Sequence, residues 1–168
     1  MLATSATARL YRGNQADVRA PAEMMEQLRQ SALWREDSRK VWLLEGLVYY
    51  ISEKETIALI KAIMERGDLI VVDFARPNER VVDYHREAMT NLCANQVARS
   101  VGCRRIHRMN LQKVAALSNA RIVLNETMHE IERMLLKRGE LTGHPRYADP
   151  LGGMLSVAVL GPMGPWLL

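Results

Sequence analysis

The stretch from Asn110 to Arg138 constrains the chain most. Within it Val114, Leu117, Arg121, Leu124, Met128, Ile131 and Leu135 recur at alternating steps of three and four. All but Arg121 are apolar, so the spacing predicts one long amphipathic helix with a single seam. At about 1.5 Å per residue it would run roughly 43 Å, a rod along which other elements pack. Ser118, Asn119 and Asn125 are capping residue types inside the run, so a break into two helices is the alternative. Arg121, the polar member of the seam, is expected to meet a carboxylate, water or a partner, because a buried unpaired charge is costly.

A chain of 168 residues suits one domain and can bury a real core. Its apolar share of 48% excludes global disorder. Aromatic residues are few and methionines number 10, so Leu, Ile, Val and Met must fill the interior. Cys93 and Cys103 make no disulfide framework and lack the Cys/His neighbours of a zinc site. They read as buried thiols of an intracellular, reducing compartment. Residues 1–13 carry Arg9 and Arg12 with Thr4, Ser5 and Thr7 and no acid, like a mitochondrial transit peptide; an untidy N-terminus is the plain alternative. A mitochondrial location is therefore favoured, with a bacterial or phage cytoplasmic assembly also allowed. Residues 1–16 are assigned to a flexible or transit-like segment, 17–149 to a single helical α+β domain and 150–168 to an uncharged docking tail.

Pro21 opens a helix to about Trp34, with Met24, Met25, Leu28 and Ala32 on its apolar side. The runs Val41–Leu44 and Leu47–Ile51 fit a hairpin or one short helix, and Tyr49-Tyr50-Ile51 favours a strand. Ser52 and Glu55 form a capping box for a helix burying Ile57, Ile60, Ile63 and Met64, closed by Gly67. Leu69–Phe74 is the strongest strand signal, and pairing with Leu47–Ile51 would make a parallel β-α-β unit. A further helix is expected from about Glu79 to Val101. The predicted class is α+β and predominantly helical: the long helix, shorter helices and a sheet of two or three strands.

Residues 88 to 125 contain no acid but hold Arg99, Arg104, Arg105, Arg108, Lys113 and Arg121. Such a segment suits a nucleic acid, an acidic protein surface or anionic lipid; a solvated helix face is the bland alternative. It has no aromatic residue, which argues against base stacking. Asn91–Met109 fits a helix-turn-helix in part: Val97, Ala98, Val101 and Gly102 suit a first helix and turn, and Arg104, Arg105 and Arg108 would approach a major groove. Ile106 and Met109 come about two residues early for the second helix.

Asp73 falls at the carboxyl end of the best strand, where α/β sites collect, with Asp83 and His85 following. Structural use of all three is the stronger reading. His129-Glu130-Ile131-Glu132-Arg133 lacks the second histidine of a zinc-protease helix, and no phosphate loop or nucleophile elbow is present.

Leu10-Tyr11-Arg12-Gly13, a helix, then Val48-Tyr49-Tyr50-Ile51-Ser52 leading into a helix and the strand at Leu69, resembles the opening order of ADP-ribosyltransferase toxins. That resemblance implies that Arg12 binds a nicotinamide nucleotide, Ser52 buttresses the pocket, and Glu130-Ile131-Glu132 supplies the catalytic acid. It covers about the first 75 residues, and its Glu-x-Glu falls in the predicted helix rather than on a strand and turn.

After Asp149 the chain is uncharged. Its longest apolar run, Met154–Leu160, is interrupted by Ser156 and is too short to span a bilayer. Met163, Trp166, Leu167 and Leu168 make an apolar ending that suits docking on a partner or on the chain's own core. Together these features predict a non-catalytic accessory or adaptor subunit of a larger assembly, with protein partners and an anionic contact through residues 88–125. No cofactor, metal or transmembrane segment is implied. A helix-turn-helix-like DNA-binding regulator is the alternative, and an ADP-ribosyltransferase-like effector the third reading.

Overall fold

The capping box at Ser52 sets the first half of the architecture. Ser52 Oγ accepts from Glu55 N at 3.3 Å, and Ser52 N donates to Glu55 Oε2 at 2.6 Å. This satisfies amides that the first turn leaves free. The helix so begun buries Leu59, Ile60, Ile63 and Met64 and ends before Gly67, which sits at φ +75°. Apolar runs on either side of it pair as parallel strands, Val41 with Leu69 through Leu44 with Val72. This is the expected β-α-β unit, but its first strand is Val41–Leu44. Leu47–Tyr50 is instead a turn whose Tyr50 N bonds to Leu47 O.

The computed structural model describes residues 17–32, 34–65, 67–77, 95–96, 99, 106–143 and 155–164. The described elements run α1 (Pro21–Arg29), β1 (Val41–Leu44), α2 (Glu53–Met64), β2 (Leu69–Ala75), α3 (Leu111–Leu117), β3 (Ala120–Thr127), α4 (Met128–Lys137) and β4 (Leu155–Pro162). The four strands form one mixed sheet in the order β1-β2-β4-β3. β4 runs antiparallel to both its neighbours. β2 and β3 therefore point the same way, and the carboxyl ends of β1, β2 and β3 share one edge. The class is α/β with a four-stranded sheet, which corrects the expectation of a helical domain with a small sheet.

The long helix is the main correction. Asn110–Arg138 folds as helix, strand and helix. Asn119 takes φ +54° directly after α3, reversing the chain. Ile122-Val123-Leu124 then supplies β-branched, apolar residues that suit a pleated strand better than a helix. Thr127 ends the strand and caps α4: its Oγ1 accepts from Glu130 N at 3.0 Å, while Thr127 N donates to Glu130 Oε2 at 2.7 Å. The seam had joined three elements whose apolar residues happened to keep step. Arg121 lies exposed on β3, so no buried partner is needed.

One sheet face carries the core. Rows of paired residues run Trp42–Ile70–Leu160–Ile122 and Leu44–Val72–Ala158–Asn125 across all four strands. Ile70, Val72, Ala158 and Leu160 are wholly buried. They cluster with Met24 and Met25 of α1, Leu59, Ile60 and Ile63 of α2, and Leu111 and Val114 of α3. The opposite row, Leu43–Val71–Val159–Leu124, is equally apolar but ranges from half-buried to exposed.

The uncharged stretch after Asp149 supplies β4, the strand between β2 and β3, so its apolar run belongs to this sheet. Met163 follows it and is exposed, while Trp166, Leu167 and Leu168 lie outside the described residues. So do Cys93, Cys103 and, apart from the helical Asn95, Gln96 and Arg99, the helix expected over 79–101. Among the described residues no helix is long and apolar enough to cross a membrane.

The break at Asn119 is directly testable. A β-branched residue in the left-handed region costs about 1–2 kcal/mol, and glycine costs nothing there. Asn119→Val should therefore lower the urea midpoint clearly, and Asn119→Gly should leave it within a few tenths of a kcal/mol. Asn119→Ala separates the two structures: it should lower stability in the left-handed conformation, whereas in a continuous helix it would raise it by up to about 0.7 kcal/mol.

Candidate functional site

The polar groups of the sheet gather at the shared carboxyl edge. β2 ends in Phe74-Ala75 and continues into Arg76-Pro77. The segment Ile106–Met109 runs extended beside that end: Met109 N donates to Ala75 O at 2.9 Å, and Arg108 pairs with Ala75 in a parallel bridge. Arg108 Nη1 also donates to Arg76 O at 2.8 Å. This fixes the backbone of Arg76, whose Nε donates to Ser156 Oγ at the start of β4. Ser156 is wholly buried, so the hydroxyl serves the arginine and not solvent.

Between these groups lies a cavity of about 30 Å³ lined by Phe74, Arg76, Pro77, Met109–Gln112 and Asn125. Asn125 reaches it from β3. Its Oδ1 is buried and has no hydrogen-bond partner among the described residues. A buried acceptor left unpaired costs about 1–3 kcal/mol. The site is polar and roomy enough for one water-sized group. His129 Nδ1, in the first turn of α4 just beyond the end of β3, is likewise buried and unpartnered among the described residues. Beside it the Glu130 carboxyl is held below its ordinary range, first by the Thr127 amide, then by the Thr127 hydroxyl, with the Arg76 charge a smaller cause. The edge thus offers a hydrogen-bond acceptor, an unpartnered imidazole nitrogen and a fixed guanidinium.

Asp73, singled out as a possible acid–base group, has another task. It accepts from Gly46 N at 2.8 Å and from Tyr49 Oη at 3.0 Å. Burial, and then the charge of Asp73, push the Tyr49 hydroxyl well above its usual range. The pair ties the turn after β1 onto β2. Asp83 and His85 lie outside the described residues.

The described basic residues lie on separate elements. Arg108 lies at the carboxyl edge, Lys113 on α3 bonds Glu53 at the start of α2, and Arg121 and Arg99 are exposed on β3 and a helical segment. Arg104 and Arg105 lie outside the described residues. The helix-turn-helix reading fails where it can be checked, because Ile106–Met109 is extended and Arg108 bridges β2 where a recognition helix was expected. The ADP-ribosyltransferase reading fails as well. Ser52 is a helix cap, Glu130 and Glu132 sit in α4, and Arg12 lies outside the described residues. Arg76, Ser156 and Asn125 were missed from sequence. Ser156 passed for a mere interruption of an apolar run, and Asn125 for a helix cap.

No protein-family model matches the chain, and no curated protein sequence does. Solved structures do match. One is a Thermobifida fusca protein proposed to be a methyltransferase, with a TM-score of 0.59, 10% identity, and coverage of 89% of this chain and 53% of that one. Another is a DUF574 family protein from Streptomyces avermitilis, with a TM-score of 0.55, 11% identity and coverage of 88% and 53%. The fold is Rossmann-like. This chain spans about half the length of the structures it matches. At such identities the likeness is one of fold. It overturns the non-catalytic adaptor, which rested on a long helix that is absent and on a helical architecture that the α/β sheet replaces.

Two outcomes follow from the edge. Asn125→Leu removes an unpaired buried acceptor and should raise the thermal midpoint, while filling the cavity and weakening any ligand that uses it. A lower midpoint would mean that Asn125 already has a partner. For Glu130 the folded pKa lies below the ordinary glutamate value of 4.5. Its contribution is therefore complete above that value and is lost as pH falls through the depressed one. The stability gap between the native chain and Glu130→Gln, measured by urea titration, should be steady above pH 4.5 and narrow below it.

Proposed function

We propose that the chain belongs to methyl-transfer chemistry and supplies one side of the ligand site of a methyltransferase-type domain. The observation that carries this reading is the fold shared with the Thermobifida fusca protein over 89% of the chain. The position of the polar cluster supports it, since ligands of open α/β sheets bind outside the carboxyl ends of the strands. The roles follow from the geometry. Asn125 Oδ1 accepts from a hydroxyl or amine of the bound ligand. Arg76, held by Ser156 and by the segment through Arg108, lines the same cavity with its charge. Phe74, Met109 and Leu111 give the cavity its apolar wall.

A nucleoside-bearing methyl donor needs a pocket of roughly 300 Å³ or more. The cavity here is about 30 Å³, and no glycine-rich turn follows a strand at this edge among the described residues. These residues do not enclose such a donor by themselves, and no step is assigned to it. They hold one side of a ligand.

The test is titration of the 168-residue chain with S-adenosylhomocysteine, read by backbone amide shifts. Shifts gathered at Phe74–Arg76, Asn110–Gln112, Asn125 and Ser156 are expected, with an affinity of about millimolar order because only one side of the ligand is held. No shifts at this edge, or shifts elsewhere only, would remove the methyltransferase reading.

A further inference from the structure

The outer side of β1 has no neighbouring strand among the described residues. Leu69 N donates to Lys40 O at 3.0 Å, so in this parallel ladder Lys40, Trp42 and Leu44 turn their backbone groups towards β2. Val41 and Leu43 turn theirs outward. Both are also 65% exposed, unusual for apolar residues of a strand whose other face is in the core. Flat apolar edges of this kind template pairing with another strand unless they are covered.

The edge is held ready. At its start Asp68, itself buried, accepts from Lys40 N at 3.0 Å and from Trp42 Nε1 at 2.8 Å. At its end Asp73 accepts from Gly46 N. Two carboxylates, Asp73 of β2 and Asp68 just before it, thus hold both ends of β1, and little conformational freedom is left to lose on pairing.

The exposed residues along the edge are Arg39, Val41, Leu43 and Glu45. They read positive, apolar, apolar, negative. An antiparallel copy of the same strip, related by a two-fold axis at Trp42, sets Val41 against Leu43 twice and Arg39 against Glu45 twice. Val41 and Leu43 of both copies lie on the same sheet face by the strand's period of two, and Arg39 and Glu45 stand one such step beyond each end. A parallel copy would oppose like charges at both ends, which is unfavourable. The strip is therefore complementary to itself in one direction only, as an isologous contact requires.

We propose that β1 pairs antiparallel with β1 of a second copy of this chain, joining two four-stranded sheets into one of eight strands. The exposed apolar row Leu43–Val71–Val159–Leu124 then continues across both copies. This inference stands apart from the methyl-transfer reading. The edge is short, so the dimer belongs with small, weak interfaces and forms towards the upper end of a micromolar to millimolar range.

The experiment is sedimentation equilibrium of the full chain over that range, with circular dichroism as the check on folding. The mass should double with concentration. Leu43→Lys, at an exposed position, should keep the native spectrum and stay monomeric throughout. Arg39→Glu and Glu45→Arg should each weaken association roughly 2- to 30-fold, because the two-fold axis makes every substitution act twice, and the double reversal should restore it. A monomer at every concentration overturns the proposal. So does a dimer that survives Leu43→Lys, or a pair of charge reversals that fail to compensate each other.

Discussion

The sheet depends on β4 lying between β2 and β3. Six residue pairs join β4 to β2, from Ile70 with Leu160 to Ala75 with Leu155. The pairs on its other side run from Ala120 with Pro162 to Thr127 with Ser156. β2 and β3 make no ladder with each other. Strand pairing between the β-α-β unit and β3 therefore passes through this strand. Its residues fit the position. Ala158 and Leu160 are wholly buried on the core face, and the small Ala158 leaves room between Val72 and Asn125. Ser156 on the same face gives up its hydroxyl to Arg76.

The same strand builds the candidate site. It runs against its neighbours, so its first residues meet the last residues of β2 and β3. Ser156 anchors Arg76 from one side and stands opposite Phe74 and Thr127. The cavity is thus lined by the end of β2 and the residues after it, the start of α3 and Asn125 of β3, with Ser156 of β4 anchoring Arg76. None of these contributions is adjacent to another in sequence.

That scatter explains what could be read from the sequence. Where a signal is local, it held: Pro21 at the first position of α1, the Ser52–Glu55 box of α2, the left-handed Gly67 and the apolar run of β2. Between Asn110 and Arg138 two local signals competed. Apolar residues at steps of three and four favoured a helix, while Ile122-Val123-Leu124 favoured a strand. Pairing with β4 decided between them, and that partner lies outside any local window. One decisive signal was nevertheless present. Thr127 and Glu130 repeat the spacing of Ser52 and Glu55, and a capping box marks where a helix begins. β4 looked like a tail because glycine and proline bracket it and because a seven-residue apolar run was weighed against a membrane rather than a sheet. The candidate site was barely legible, since Asn125 gains meaning only when Arg76 is brought opposite it.

The position of β4 also sets the order of events during synthesis. β1, α2 and β2 are made early and can pair locally. β2 then waits for a partner roughly ninety residues further on, since Ile70 meets Leu160. Closing so long a loop is slow, because its entropy is lost before any contact repays it. Until then the Ile70, Val72 and Phe74 edge and the whole of β3 stand unpaired. From the synthesis of β2 until β4 follows, a ribosome-bound chain of this protein carries at least one sticky strand edge, joined by a second once β3 is made, and is a natural client for a holding chaperone.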